Sequence, residues 1–118
     1  MDHSTFDRDD FLARIGNDRQ LLGLLLDALE RNAHTWRDEF EQALTSADFP
    51  RIRRLAHTAK GAVANFSATA SLEAARELER LATTENLQPI RLAVSVLNEK
   101  IEQLIESLRA LANASCSG

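Results

Sequence analysis

The 118-residue chain holds three histidines and one cysteine, and one of these residues, His57, stands in a setting suited to chemistry. It lies in a stretch from Phe49 to Leu72 that contains no Asp or Glu but does contain Arg51, Arg53, Arg54 and Lys60. At a helical step of about 100° per residue, Ile52, Leu55, Ala59, Ala62, Val63 and Phe66 all fall about 120° or more from His57. The imidazole therefore points away from an apolar face. Within about 60° of it come Arg53, Arg54, Lys60, Gly61 and Ala64, each either cationic or very small. A glycine in an exposed helical turn costs about 1 kcal/mol relative to alanine, so Gly61 does not serve helix stability. Its expected use is access, letting another surface come close to the ring. Histidine ionises near pH 6.5, about where a cytoplasm leaves much of it neutral, and a neutral ring keeps one nitrogen lone pair free for attack. Phosphorus suits this setting as the electrophile. A phosphoryl group on that nitrogen would lie over Lys60 and near Arg53 and Arg54. Each charge would contribute about 1–3 kcal/mol at roughly 6 Å, depending on the local dielectric. An acid at the same distance would repel the group, which accounts for a face without Asp or Glu.

The remaining candidates are weaker. His3 lies in a polar terminus. His34 falls mid-helix between Ala33 and Trp36, and its expected state is a boundary side chain with the ring half packed. Cys116 is the lone thiol, so the chain has no disulfide framework and no cysteine zinc cluster, and a reducing compartment is expected. The inward Glu-x-x-His pairs of di-iron bundles are absent, no metal site is expected, and there is no Gly-rich phosphate loop. No Ser-His-Asp arrangement can be argued from spacing.

The elements that must position His57 are helical throughout. Apolar residues recur every three to four positions, and no segment alternates as a strand would. A short first helix is expected from about Thr5 to Ile15, with Phe11, Leu12 and Ile15 inward and Gly16 ending it. Asn17 or Asp18 then caps a second helix to about Thr45 that buries Leu22, Leu25, Leu29, Ala33, Trp36, Phe40 and Leu44. Asp48 caps a third, with Pro50 in its first turn, running to about Phe66. A fourth, from Thr69 or Ser71 to Thr84, uses Leu72, Ala75, Leu78 and either Leu81 or Ala82. Pro89 opens a fifth, where Ile90, Val94, Leu97, Ile101, Leu104, Leu108 and Leu111 alternate steps of four and three. That heptad seam fits either a coiled-coil dimer or one chain's antiparallel bundle. Short connections between long helices favour the second. The expected fold is therefore all-α, an antiparallel up-down four-helix bundle with an additional short N-terminal helix. It forms one domain over 1–118, with 1–4 and 113–118 as tails.

Charge and length set the outer bounds. At this size roughly two thirds of the unfolded chain's surface is buried on folding, enough for one core without disulfides or metal. Eighteen acids against fourteen bases give a net charge of −4, which argues against nucleic acid or an anionic membrane as partner. No apolar run approaches the roughly 20 residues a bilayer requires. The acidic, polar N-terminus is unlike a signal peptide. A cytoplasmic monomer is expected.

The run Ala56-His57-Thr58-Ala59-Lys60-Gly61-Ala62-Val63-Ala64-Asn65-Phe66 resembles the signature of histidine-containing phosphotransfer (HPt) domains, A-H-x-x-K-G followed by small residues and often A-N. Ala75-Arg76-Glu77-Leu78-Glu79 is similar to the A-x-x-L-E of that family's following helix, and Asp48-Phe49 and Arg53-Arg54-Leu55 extend the likeness upstream. The resemblance implies a phosphorelay intermediate with His57 as phosphoacceptor, Lys60 as phosphate-side cation and Gly61 as the clearance position. Ala64 would belong to the docking face, with Arg53 and Arg54 as further partner-binding residues. The partners implied are receiver domains of response regulators or hybrid sensor kinases. The receiver would supply the acidic pocket and the Mg²⁺, so no cofactor is expected here, and whether the term enzyme applies is open. Two alternatives are a helical adaptor that binds receivers or kinases without phosphotransfer, and the phosphoacceptor hairpin of a sensor kinase. Against the hairpin stand Thr58, where that box has an acid, and the lack of proline between Pro50 and Pro89. One departure from the family pattern is Ser67, where a glycine is usual after the Asn-Phe pair. Either Asn65 takes the left-handed position that ends the helix, or Ser67 adopts it at a cost of about 1–2 kcal/mol.

Overall fold

The computed structural model describes residues 7–116, and five helices occupy them: α1 (Arg8–Arg14), α2 (Arg19–Thr45), α3 (Phe49–Ala64), α4 (Thr69–Ala82) and α5 (Leu87–Cys116). Three aspartates start three of them. Asp7 accepts from the Asp10 N–H at 3.1 Å, Asp18 from Leu21 at 3.0 Å and Asp48 from Arg51 at 3.2 Å, each satisfying a donor that the first helical turn leaves open. Pro50 sits in the first turn of α3 and Pro89 in that of α5, where no intrahelical N–H is lost.

Each connection between helices turns on a residue in the left-handed region. Gly16 and Asn17 carry φ values of 64° and 56° between α1 and α2, and Ala47 has 52° between α2 and α3. Ser67 (53°) and Glu85 (55°) do the same at the next two turns. This settles the alternatives at the end of α3. Asn65 remains right-handed (φ −70°, ψ −13°), the helix closes at Ala64, two residues before Phe66, and Ser67 takes the left-handed position.

The four long helices pack in a ring, α2 against α3 and α5, and α4 against α3 and α5, which is the antiparallel up-down bundle. All seven seam residues of α5, Ile90 through Leu111, are buried within this one chain. The heptad spacing is thus used inside the bundle. Of the α2 stripe, Leu22, Leu29, Ala33, Trp36, Phe40 and Leu44 are buried and Leu25 is half-buried. α4 turns Ala75, Leu78 and Ala82 fully inward and leaves Leu72 and Leu81 at the margin. Phe11 of α1 is fully buried and stacks on Phe66, with ring centroids 5.5 Å apart, so the short helix is held against the α3–α4 turn. Helix continues through Asn113 to Cys116, so the stretch 113–118 expected as a tail begins within α5. Residues 1–4 of the expected N-terminal tail, His3 among them, lie outside the described residues, as do Thr5 and Phe6 of the expected first helix. Among the described residues no helix is long and apolar enough to cross a membrane.

Candidate functional site

α3 presents His57 through the pattern of its buried positions. Ile52, Ala56, Ala59 and Val63 are all fully buried, at spacings of four, three and four, which turns the opposite face outward. Two of those four are alanines, and the facing stripe of α4 carries Ala75 and Ala82. Small residues on both sides of a helix contact allow close approach, because interaxial distance follows the side chains between the axes. A side chain of α4 can therefore reach the exposed face of α3, and Glu79 does so.

Glu79 joins the two residues singled out from the sequence. The His57 side chain is 69% exposed, and its Nδ1 lies 3.0 Å from Glu79 Oε2. Lys60 Nζ donates to the other carboxylate oxygen, Oε1, at 2.7 Å. Glu79 itself is only 20% exposed. Its carboxyl is held below the usual carboxylate range, mainly by the Lys60 hydrogen bond and further by that from His57, against the opposing effect of burial. An ionised carboxylate can only accept, so the proton of the neutral ring must sit on Nδ1. The Nε2 lone pair is then the free one.

This corrects the expectation of an acid-free face. The stretch from Phe49 to Leu72 lacks acids along the chain, but α4 supplies one in space, and Lys60 is engaged with it in the unphosphorylated protein. Along the sequence Glu79 figures only as the last residue of the A-x-x-L-E match, with no role of its own. One signal was present: Glu79 lies about 40° and 60° around α4 from the core positions Ala75 and Ala82, at the edge of the buried stripe. A carboxylate at such a boundary calls for a partner.

The other site residues divide into two groups. Arg53 and Arg54 are exposed beside His57 along α3, and neither has an ion pair among the described residues. Arg51, from the same basic run, turns back towards α2 instead, at 3.5 Å from Glu39 and 3.3 Å from Gln42. Gly61 is exposed, and a Cβ placed on it would meet nothing within 4 Å of this chain. Ala64, two turns beyond His57 on the same side of α3, is exposed, and its carbonyl accepts from Arg14 Nη1 of α1 at 3.4 Å. His34 proves to be 82% exposed, 3.8 Å from Asp38, rather than half packed; its ring falls just outside the stripe that Ala33 and Trp36 bury. Among the described residues no group of three or more His, Cys, Asp or Glu side chains could hold a metal ion.

A helical bundle that displays an exposed imidazole with Nδ1 held by a carboxylate suits a nucleophile whose electrophile arrives on another molecule. The comparisons place it more closely. A family model described as the Hpt domain matches residues 20–114, and the chain belongs to that family. Among solved structures it is similar to the crystal structure of the HPT domain from a sensor hybrid histidine kinase of Shewanella. The two share 15% identity at a TM-score of 0.73, over 96% of this chain and 97% of that one. A comparison with curated proteins gives no match. The protein is thus a histidine phosphotransfer intermediate of two-component phosphorelays, a class that works with receiver domains.

Proposed function

We propose that His57 is the phosphoacceptor and that Nε2 is the attacking atom. The observation that carries this reading is the 3.0 Å contact between Nδ1 and the Glu79 carboxylate; with the neutral ring donating there, the lone pair falls on Nε2. In the step proposed, Nε2 attacks the phosphorus of a receiver's aspartyl phosphate. The N–P bond forms as the bond between phosphorus and the carboxylate oxygen breaks, and the aspartate leaves as a carboxylate. No proton has to move. The ring gains positive charge while Nδ1–H remains bonded to Glu79, whose anion steadies the imidazolium. Transfer onward reverses these steps with a second receiver.

Lys60 is the phosphate-side cation in this reading. Its Nζ is engaged by Glu79 before transfer and lies on the same face, so arrival of a dianionic phosphoryl group draws it towards the new charge. Arg53 and Arg54 add positive potential for an acidic partner surface, and Gly61 and Ala64 leave room for that surface to approach. The receiver supplies Mg²⁺ and the reactive aspartate, and this chain contributes the nucleophile. Burial of the α5 seam within one chain supports action as a monomer, and the cytoplasm is the compartment proposed. The test is incubation with a phosphorylated receiver and Mg²⁺. One acid-labile, base-stable phosphate per chain is expected, and it should be lost in His57→Gln with the helical circular dichroism unchanged. A label that persists in His57→Gln would move the chemistry to another residue.

A further inference from the structure

The carboxylate that joins His57 and Lys60 has a cation beside it in the chain. Arg80 follows Glu79 in α4, and the two side chains stand about 100° apart around that helix. Ala75, Leu78 and Ala82 are buried on the other side of Glu79, so the step to Arg80 leads outward, above the α3–α4 groove. The His57 ring is exposed on this same side. With Nδ1 turned to Glu79, its Nε2 lies on the edge away from that carboxylate.

Direction along the helices selects Arg80 over its neighbour Arg76. α3 and α4 run antiparallel, and Glu79 bridges His57 and Lys60, three residues apart on α3. A step forward along α4 therefore leads towards the His57 end of the bridge, and a step back leads towards Lys60 and Gly61. Arg80 is displaced about 1.5 Å in the first direction and Arg76 about 4.5 Å in the second. In the unphosphorylated protein Arg80 is held by Glu77 of the same helix. Its Nε donates to Oε1 at 3.0 Å and its Nη2 to Oε2 at 2.6 Å. The two side chains are 64% and 51% exposed, and ion pairs so placed are weak. Glu77 offers one negative charge, whereas a phosphoryl group carries nearly two and presents oxygens that a guanidinium can take in the same forked manner.

We propose that Arg80 is a second phosphoryl-binding residue, which leaves Glu77 for the phosphoryl group on His57 and holds it from α4 as Lys60 does from α3. Glu77 is its resting partner and competes with the phosphoryl group for one guanidinium. The contact balances the charge of the phosphorylated state, so losing it shortens the life of the phosphoprotein. The proposal rests on the reading of His57 as the phosphoacceptor. Phosphoramidate, a small donor that needs no docking surface, allows the two to be tested apart.

Wild type, Arg80→Ala, Glu77→Ala and Arg76→Ala are labelled with phosphoramidate and freed of donor, and loss of phosphate is followed by intact-protein mass at neutral pH and low salt. Arg80→Ala should shorten the half-life about twofold to fivefold, the range expected of an exposed ion pair. Glu77→Ala breaks the same pair but frees the arginine, and it should lengthen the half-life about twofold. Arg76→Ala should leave it unchanged. An unchanged half-life in Arg80→Ala overturns the proposal. So does a shift in the same direction in Arg80→Ala and Glu77→Ala, because the pair would then act only through the stability of α4. Equal shortening by Arg76→Ala overturns it as well, since the place beside Glu79 would then count for nothing. A wild type that phosphoramidate does not label at His57 overturns the phosphoacceptor reading instead.

Discussion

Removing the Glu79 carboxylate tests whether it selects the reactive nitrogen of His57. Two variants divide its work. Glu79→Ala loses the acceptor for Nδ1–H and the partner of Lys60 together, whereas Glu79→Gln keeps an amide oxygen that can still accept from Nδ1–H. A hydrogen bond to a charged group contributes about 1.5–3 kcal/mol when shielded from water. The His57 ring, however, is 69% exposed, so the scale of exposed ion pairs applies, up to about 1 kcal/mol. A bias of about 0.5–1 kcal/mol towards the Nδ1–H form corresponds to roughly a twofold to fivefold change in the ratio of the two tautomers, which is the upper bound on the change in the population ready to attack through Nε2. Glu79→Ala should therefore label with phosphoramidate more slowly than wild type, by up to about fivefold, with Glu79→Gln in between. The freed Lys60 should at the same time hold the phosphoryl group longer, so hydrolysis of the phosphoprotein should slow in both variants. The assay is a time course of labelling and decay at neutral pH, followed by intact-protein mass. If Glu79→Ala labels as fast as wild type, or Glu79→Gln is the slower of the two, tautomer selection by Glu79 is refuted.

The remaining expectations concern the same face. Because the Glu79 carboxyl is held below its ordinary value of 4.5, the stability it contributes is fully present above that pH and is lost as pH falls through the depressed value. Urea melts should thus show wild type more stable than Glu79→Gln at neutral pH and the gap closing in acid; a gap that persists in acid would place the effect elsewhere. Gly61→Leu adds a helix former in open space and should raise stability by about 0.5–1 kcal/mol in thermal melts while slowing transfer from a receiver. Normal transfer in that variant would remove the access role. Lys60→Ala should shorten the lifetime of the phosphoprotein or slow its formation and still label at His57, and unchanged kinetics would end its role as the phosphate-side cation.

Much of this architecture was legible along the chain because its causes are local. The steps of four and three from Ile90 to Leu111 define a buried seam, Asp18 and Asp48 cap the helices they precede, and the wheel around His57 gives its outward face. The contribution of Glu79 was not legible in the same way. It stands 22 positions after His57, on another helix, and the contact depends on how closely alanines let α3 and α4 approach. Ser67 shows the same limit. Its left-handed backbone is stabilised by α1, through Asp7 and Asp10, more than fifty residues earlier, so the residues around it could not choose between Ser67 and Asn65. His34 went the other way: lying between the buried Ala33 and Trp36 in sequence, it falls just off their stripe and faces water.

Locating the phosphoryl group on the ring distinguishes attack through Nε2 from every alternative. Nitrogen-15 and phosphorus NMR of protein phosphorylated by a receiver should give one phosphohistidine, at His57, with phosphorus coupled to Nε2 and a proton retained on Nδ1. Phosphorus on Nδ1, or a phosphohistidine at any other position, would contradict the role drawn here for the Glu79 hydrogen bond and for the exposed nitrogen opposite it.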